Sequence, residues 1–300
     1  MKTPLFTGSS VAIVTPMHPD KSIHLEKLGE LIDLQLAGGT AAITVCGTTG
    51  ESALLSDDEK LAVIRYTVEH TAGRVPVIAG TGSNDTSHAL ALSREAQACG
   101  ADGLLLVTPY YNKCSAKGLI RHYTTIADQV DIPCIVYNIP SRTGVAMSVP
   151  VYRELSRHPR INGIKEASGS TELVRCTLAA CDLNVWSGND SQIVPLMALG
   201  AKGVISVLAN LLPAQTAQLA GACLAGDYAK AASMQLAYGA LIDALFCEVN
   251  PIPIKTALNL MGMEVGPLRM PLCEMEPEQE ALLRQAMAAA SIPLKQPSSA

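Results

Sequence analysis

Eight short apolar runs, each rich in Val, Ile or Leu and most followed by a longer helical pattern, divide the chain up to Gly226. They read Ser10–Val14, Ala41–Cys46, Pro76–Ala79, Gly103–Val107, Pro133–Tyr137, Gly163–Lys165, Asn184–Trp186 and Gly203–Val207. Continuous apolar strands that alternate with helices belong to a parallel sheet covered on its outer face. Eight βα units in succession predict an α/β fold of the closed (β/α)8 TIM-barrel type. A doubly wound open sheet would carry a Gly-rich dinucleotide turn after its first strand. Here the first strand runs into VTPMHPD, which is no such turn.

The helical segments carry start and stop signals. Ser56-Asp57-Asp58-Glu59 offers a capping residue and first-turn acids that suit the helix dipole. Asn84-Asp85-Thr86 does the same before an Ala- and Leu-rich stretch. Gly38-Gly39 and Gly73 suit helix ends that need left-handed backbone. After Gly226 the strands stop. Asp227 to Cys247 reads as one long Ala/Leu helix, Pro251 and Pro253 punctuate, and a further helix starts near Pro277. The expected division is a catalytic barrel over 1–225 and a helical C-terminal extension over 226–300, its last residues, PLKQPSSA, disordered.

Composition narrows the function classes. A formal net charge of −5 with 4% aromatic residues gives neither a basic surface nor a stacking platform for nucleic acid. No apolar run approaches the roughly 20 residues needed to span a bilayer, so no membrane role is expected. Pro4, Gly8 and Pro16 interrupt the N-terminal apolar stretch, which therefore does not read as a secretory signal and leaves the cytoplasm as the default compartment. The nine Cys form no Cys-x-x-Cys pair, and several sit in apolar runs (Cys46, Cys134) as small core residues.

In a barrel of this kind the chemistry lies at the C-terminal ends of the strands. No His falls there: His18, His24, His70, His88, His122 and His158 all lie in predicted helices or loops. With only Glu51, Glu166 and Asp190 as strand-end carboxylates, no metal site is expected. One Lys does fall at a strand end, Lys165 in GIKEAS. At the reference pKa about one Lys in 2,500 is free amine at pH 7. An apolar barrel mouth lowers that pKa and makes the amine a Schiff-base nucleophile. The competing role is a Lys paired with Glu166 or another carboxylate. Strand alternation sends Lys165 and Glu166 to opposite faces and counts against the direct pair. Tyr137 ends the neighbouring strand, where an inward phenol could shuttle protons or simply pack. The GTTGES loop offers N–H groups and hydroxyls to a carboxylate or phosphate, and Arg142 offers a charged fork to a second carboxylate.

Taken in order, GTTGE at Gly47–Glu51, TPYYN at Thr108–Asn112, YN-x-PSRTG at Tyr137–Gly144, GIKE at Gly163–Glu166 and GVISV at Gly203–Val207 resemble the dihydrodipicolinate synthase family. That family sits within the pyruvate-dependent class I aldolases and lyases. The resemblance runs from the first strand through NPIPIK at Asn250–Lys255. It implies condensation of pyruvate with L-aspartate 4-semialdehyde to (2S,4S)-4-hydroxy-2,3,4,5-tetrahydrodipicolinate, for diaminopimelate and lysine synthesis, with no cofactor. It implies that Lys165 forms the imine and that Tyr137, Thr48 and Tyr111 relay protons, Tyr111 entering the site of a neighbouring subunit. Thr48 and Thr49 would hold the pyruvate carboxylate, Arg142 the aldehyde's carboxylate, and Gly188 and Ile205 would line the pocket. The implied assembly is a homotetramer, a pair of tight dimers. Two other readings stay open: a pyruvate aldolase acting on sugar acids or hydroxyproline-derived keto acids, and a non-catalytic keto-acid-binding barrel. Arg142 suits a short carboxylated aldehyde better than a neutral polyol.

The same resemblance locates a possible regulatory recess at Ser52, Ala53, Asp57, Lys60, Asn84, His88 and Tyr110. In lysine-inhibited members free lysine binds there. Asn84 and Tyr110 keep the residue types that would hold its carboxylate. His88 stands where those members typically have Glu, and Lys60 where they usually have His. Both changes disfavour a second cation, so lysine inhibition is expected to be weak or absent.

Overall fold

The computed structural model describes residues 2–295. Its centre is a closed barrel of eight parallel strands in sequential order. The strands are β1 (Gly8–Ala12), β2 (Ala42–Val45), β3 (Val77–Gly80), β4 (Gly103–Val107), β5 (Cys134–Asn138), β6 (Ile161–Glu166), β7 (Asn184–Ser187) and β8 (Gly203–Ser206). All eight expected strands form. β1 begins and ends two residues earlier than its apolar run suggests, and Ile13 and Val14 continue into the loop as buried residues.

Residues alternate across the barrel wall. Val11, Ile43, Val77, Leu104, Val136, Ile164, Val185 and Val204 join the outer core beneath the helices. Ala12, Ala42, Ile78, Leu105, Ile135, Tyr137, Trp186 and Ile205 fill the inside. Phe6 joins that inner core, stacked on Trp186 with centroids 5.0 Å apart, and the Trp186 indole donates to the Phe6 carbonyl at 3.2 Å. Its neighbour Gly163 has no room for a side chain: a Cβ there would stand 2.3 Å from the Asn184 carbonyl oxygen and 2.6 Å from the Trp186 ring.

The expected caps form. Ser56 and Glu59 make a reciprocal capping box on the helix Asp57–Thr71, and Asp85 caps Thr86–Ala98. The first of those helices turns left-handed at Ala72, one residue before Gly73. Beyond β8 and the helix Pro213–Leu224 the chain is helical. The long helix expected over 227–247 is two, Tyr228–Ala237 and Gly239–Ala244. The break falls at Tyr238, beside Gly239, a residue with little helix preference. Pro251 and Pro253 do not merely interrupt; they open the helix Ile252–Leu260. The expected last helix spans Pro277–Ala289. The expected terminal disorder falls mostly on 296–300, outside the described residues. Lys295 is held, its N–H donating to the Leu260 carbonyl at 2.7 Å and its ammonium to Glu264 at 2.9 Å.

Candidate active site

Lys165 and Tyr137 are register partners on β6 and β5, both facing into the barrel. Lys165 is 5% exposed, and its Nζ stands 4.4 Å from the centroid of the Tyr137 ring. No carboxylate lies within 4.0 Å of that nitrogen among the described residues. Burial pulls its pKa from the ordinary Lys value of 10.5 to about 8; Asp190 pulls it back up and Arg142 lowers it further. About one molecule in ten then carries a free amine at pH 7. Burial pushes the Tyr137 phenol up to about 12, against the Arg142 charge and the Thr48 hydroxyl, so it stays protonated and able to hand on a proton.

Glu166 points to the other face, as alternation requires. It is buried beneath the helix Val149–Leu155, where Tyr152 donates to it at 2.8 Å, Asn138 at 3.0 and 3.1 Å and the Ser168 N–H at 2.8 Å. Both strands that present the Lys165–Tyr137 pair are thereby tied from behind. Asp190, which sequence reasoning left without a role, is buried and accepts from Ser206 Oγ at 2.5 Å and from the N–H groups of Val207 and Leu208 at 3.0 Å. A Cβ on Gly188 would stand 2.8 Å from Ala167 Cβ and 3.2 Å from the Glu166 carbonyl oxygen, with Lys165 Cε at 3.3 Å, so the close packing there favours glycine.

A cavity of about 690 Å³ opens at the barrel mouth. Thr48, Tyr137, Arg142 and Asn250 line one part of it. Lys165 itself is not in the lining and meets the cavity through the Tyr137 ring. Ile205 lies in the inner core, and neither it nor Gly188 is among the lining residues. Thr49 is buried and its hydroxyl accepts from Asn250 Nδ2 at 3.0 Å. The Arg142 guanidinium donates to the Asn250 carbonyl at 2.9 Å. Tyr111 stands apart: it is 91% exposed, at a left-handed φ of 67°, and does not line this chain's own cavity.

The same cavity continues into the recess, where Ser52, Ala53, Asp57, Lys60, His88 and Tyr110 line it. Asn84 does not, and its carbonyl accepts from Asn112 at 3.0 Å. Asp57 is already committed, accepting from Lys60 Nζ at 3.1 Å and from His88 Nε2 at 2.7 Å. Burial raises its pKa, and the two partners together outweigh that and hold it low.

Glu51, one of the three strand-end carboxylates, is engaged elsewhere. It is fully buried against Lys255 at 2.8 Å and accepts the Arg269 N–H at 3.0 Å. Among the described residues, one group of His and acidic side chains brings its ligand atoms within 4.8 Å of one another: His18, His24 and Glu26. His18 and His24 lie in the loop after β1, their imidazoles stacked at 4.0 Å, and Glu26 lies in the first turn of the helix Leu25–Ala37 that follows. Burial pushes the Cys46 and Cys134 thiols up to about 12, which makes them poor nucleophiles.

A parallel barrel with one buried, carboxylate-free Lys in its mouth is built for imine chemistry on a keto compound. Comparison with known proteins narrows the class. Residues 5–290 match the model of the dihydrodipicolinate synthetase family. A 4-hydroxy-tetrahydrodipicolinate synthase of Thermoanaerobacter sp. (strain X514) is 50% identical over 289 residues, covering 95% of this chain and 96% of that one. The dihydrodipicolinate synthase structure from Aquifex aeolicus superposes with a TM-score of 0.95 at 44% identity, over 97% of this chain and 100% of that one. The chloride-inhibited synthase of Acinetobacter baumannii, complexed with pyruvate, superposes with a TM-score of 0.94 at 40% identity, over 96% and 99%. The chain belongs to the dihydrodipicolinate synthetase family.

Proposed function

We infer that this chain condenses pyruvate with L-aspartate 4-semialdehyde, supplying diaminopimelate and lysine synthesis in the cytoplasm. The observation that carries the reading is the buried Lys165 amine, with a pKa near 8 and Tyr137 beside it. The free amine attacks the keto carbon of pyruvate, and loss of water leaves a protonated imine. That cation accepts the electron pair released when the methyl group loses a proton, giving an enamine. The enamine carbon attacks the aldehyde carbon. The substrate's own amino group then displaces Lys165 and closes the ring, giving (2S,4S)-4-hydroxy-2,3,4,5-tetrahydrodipicolinate.

In this reading Tyr137, Thr48 and Tyr111 carry the protons. The exposure of Tyr111 favours its service in a neighbouring subunit's site, within a homotetramer built from tight dimers. Thr48 and Thr49 hold the pyruvate carboxylate, Arg142 holds that of the aldehyde, Gly188 packs beside Lys165, and Ile205 fills the inner core. No cofactor takes part. The chain divides at about residue 226, and the helices described beyond it brace the barrel mouth, a reading supported by the ties from Asn250 to Thr49 and from Lys255 to Glu51. The test is an assay with both substrates coupled to the next reductase. Turnover with aspartate semialdehyde is expected; turnover only with neutral sugar-derived aldehydes would overturn the reading.

A further inference from the structure

The NPIPIK segment has no part in the chemistry above, yet both of its polar ends reach the loop after β2. Lys255 is buried against Glu51, and Asn250 donates its amide N–H to the Thr49 hydroxyl at 3.0 Å. Asn250 is 6% exposed and makes a second tie through its backbone, whose carbonyl accepts from Arg142 at 2.9 Å. One residue therefore touches both groups assigned to the two substrate carboxylates.

We propose that Asn250 is a positioning residue: its amide aims the Thr49 hydroxyl proton at the pyruvate carboxylate, while its carbonyl fixes Arg142 at a set separation. The inference rests on the synthase reading of the site. The chemistry of the contact gives it direction. A hydroxyl that accepts from an amide N–H keeps its own proton free for another acceptor. Were the partner an acceptor, the Thr49 proton would turn toward it and away from the substrate. Asn250 Oδ1 is buried with no protein partner among the described residues.

Asn250→Asp tests the direction of the bond, because it preserves shape and reverses the donor. Pyruvate affinity is read apart from turnover, as the pyruvate concentration that half-saturates borohydride trapping on Lys165. Asn250→Ala, which loses one neutral hydrogen bond, should raise that concentration about 3- to 10-fold. Asn250→Asp, which adds a like charge beside the carboxylate, should raise it on the order of 100-fold. In a Thr49→Val background the Asn250→Ala effect should vanish. The aldehyde KM should move little in Asn250→Ala, since the backbone carbonyl remains. Normal trapping in the parent protein with an unchanged half-saturation in Asn250→Asp would overturn the proposal. So would an Asn250→Ala effect that persists without the Thr49 hydroxyl. No trapping in the parent would instead overturn the Schiff-base reading itself.

Discussion

Tyr137 sits opposite Lys165 across the β5–β6 ladder, with the Lys165 nitrogen 4.4 Å from its ring centroid. The amine is buried, and its pKa of about 8 sets when it can act. Below that value the ammonium dominates and cannot attack a carbonyl; above it the free amine dominates. The rate of imine trapping at low pyruvate should therefore rise through pH 8 and level off above it. A rate flat from pH 6 to 9 would mean that Lys165 titrates elsewhere. Tyr137→Phe should slow turnover about 10²- to 10⁴-fold, the usual loss of a general acid–base.

Arg142 is exposed at the mouth, held by the Asn250 carbonyl. Arg142→Ala should lower kcat/KM for aspartate semialdehyde by roughly 10- to 150-fold, the value of a charge-assisted hydrogen bond. The pyruvate concentration that half-saturates trapping should change far less. Equal losses for both substrates would assign Arg142 to the pyruvate side.

Lys255 and Glu51 form an ion pair with no solvent contact, and Lys255 also donates to the Pro267 carbonyl at 2.6 Å. Removing one partner strands the other's charge. Lys255→Met should cost about 3–5 kcal/mol in urea denaturation. Lys255→Met with Glu51→Gln should recover part of that loss. A single substitution with no effect on the unfolding midpoint would show that the pair does not hold the loop.

The recess beyond the site bears on regulation. Asp57, an acid of the recess, already serves Lys60 and His88. A bound lysine would bring its ammonium beside Lys60 to a carboxylate that already has two donors, and at about 4 Å and an effective dielectric near 20 a like-charge contact costs on the order of 4 kcal/mol before relaxation. L-Lysine should inhibit weakly or not at all. Sub-millimolar partial inhibition, relieved by substituting Asn84 or Tyr110, would contradict this.

Much of this was legible before any coordinates. The short length and apolar character of the runs forecast all eight strands, because runs so brief between turn residues are too short for buried helices. The face of Glu166 followed from alternation alone. The roles of Asn250, Lys255 and Asp190 did not. Asn250 and Lys255 act on residues some two hundred positions away, a pairing that no local pattern encodes. The anchoring of Asp190 depends on how the chain turns after β8. The break at Tyr238 escaped because an Ala/Leu-rich run looks helical on either side of it.

The central claim is that Lys165 is the nucleophile, and one measurement addresses it directly. Borohydride reduction in the presence of pyruvate, followed by peptide mass mapping, should place a reduced pyruvyl group on Lys165 and on no other lysine. An adduct elsewhere, or none at all, would contradict it.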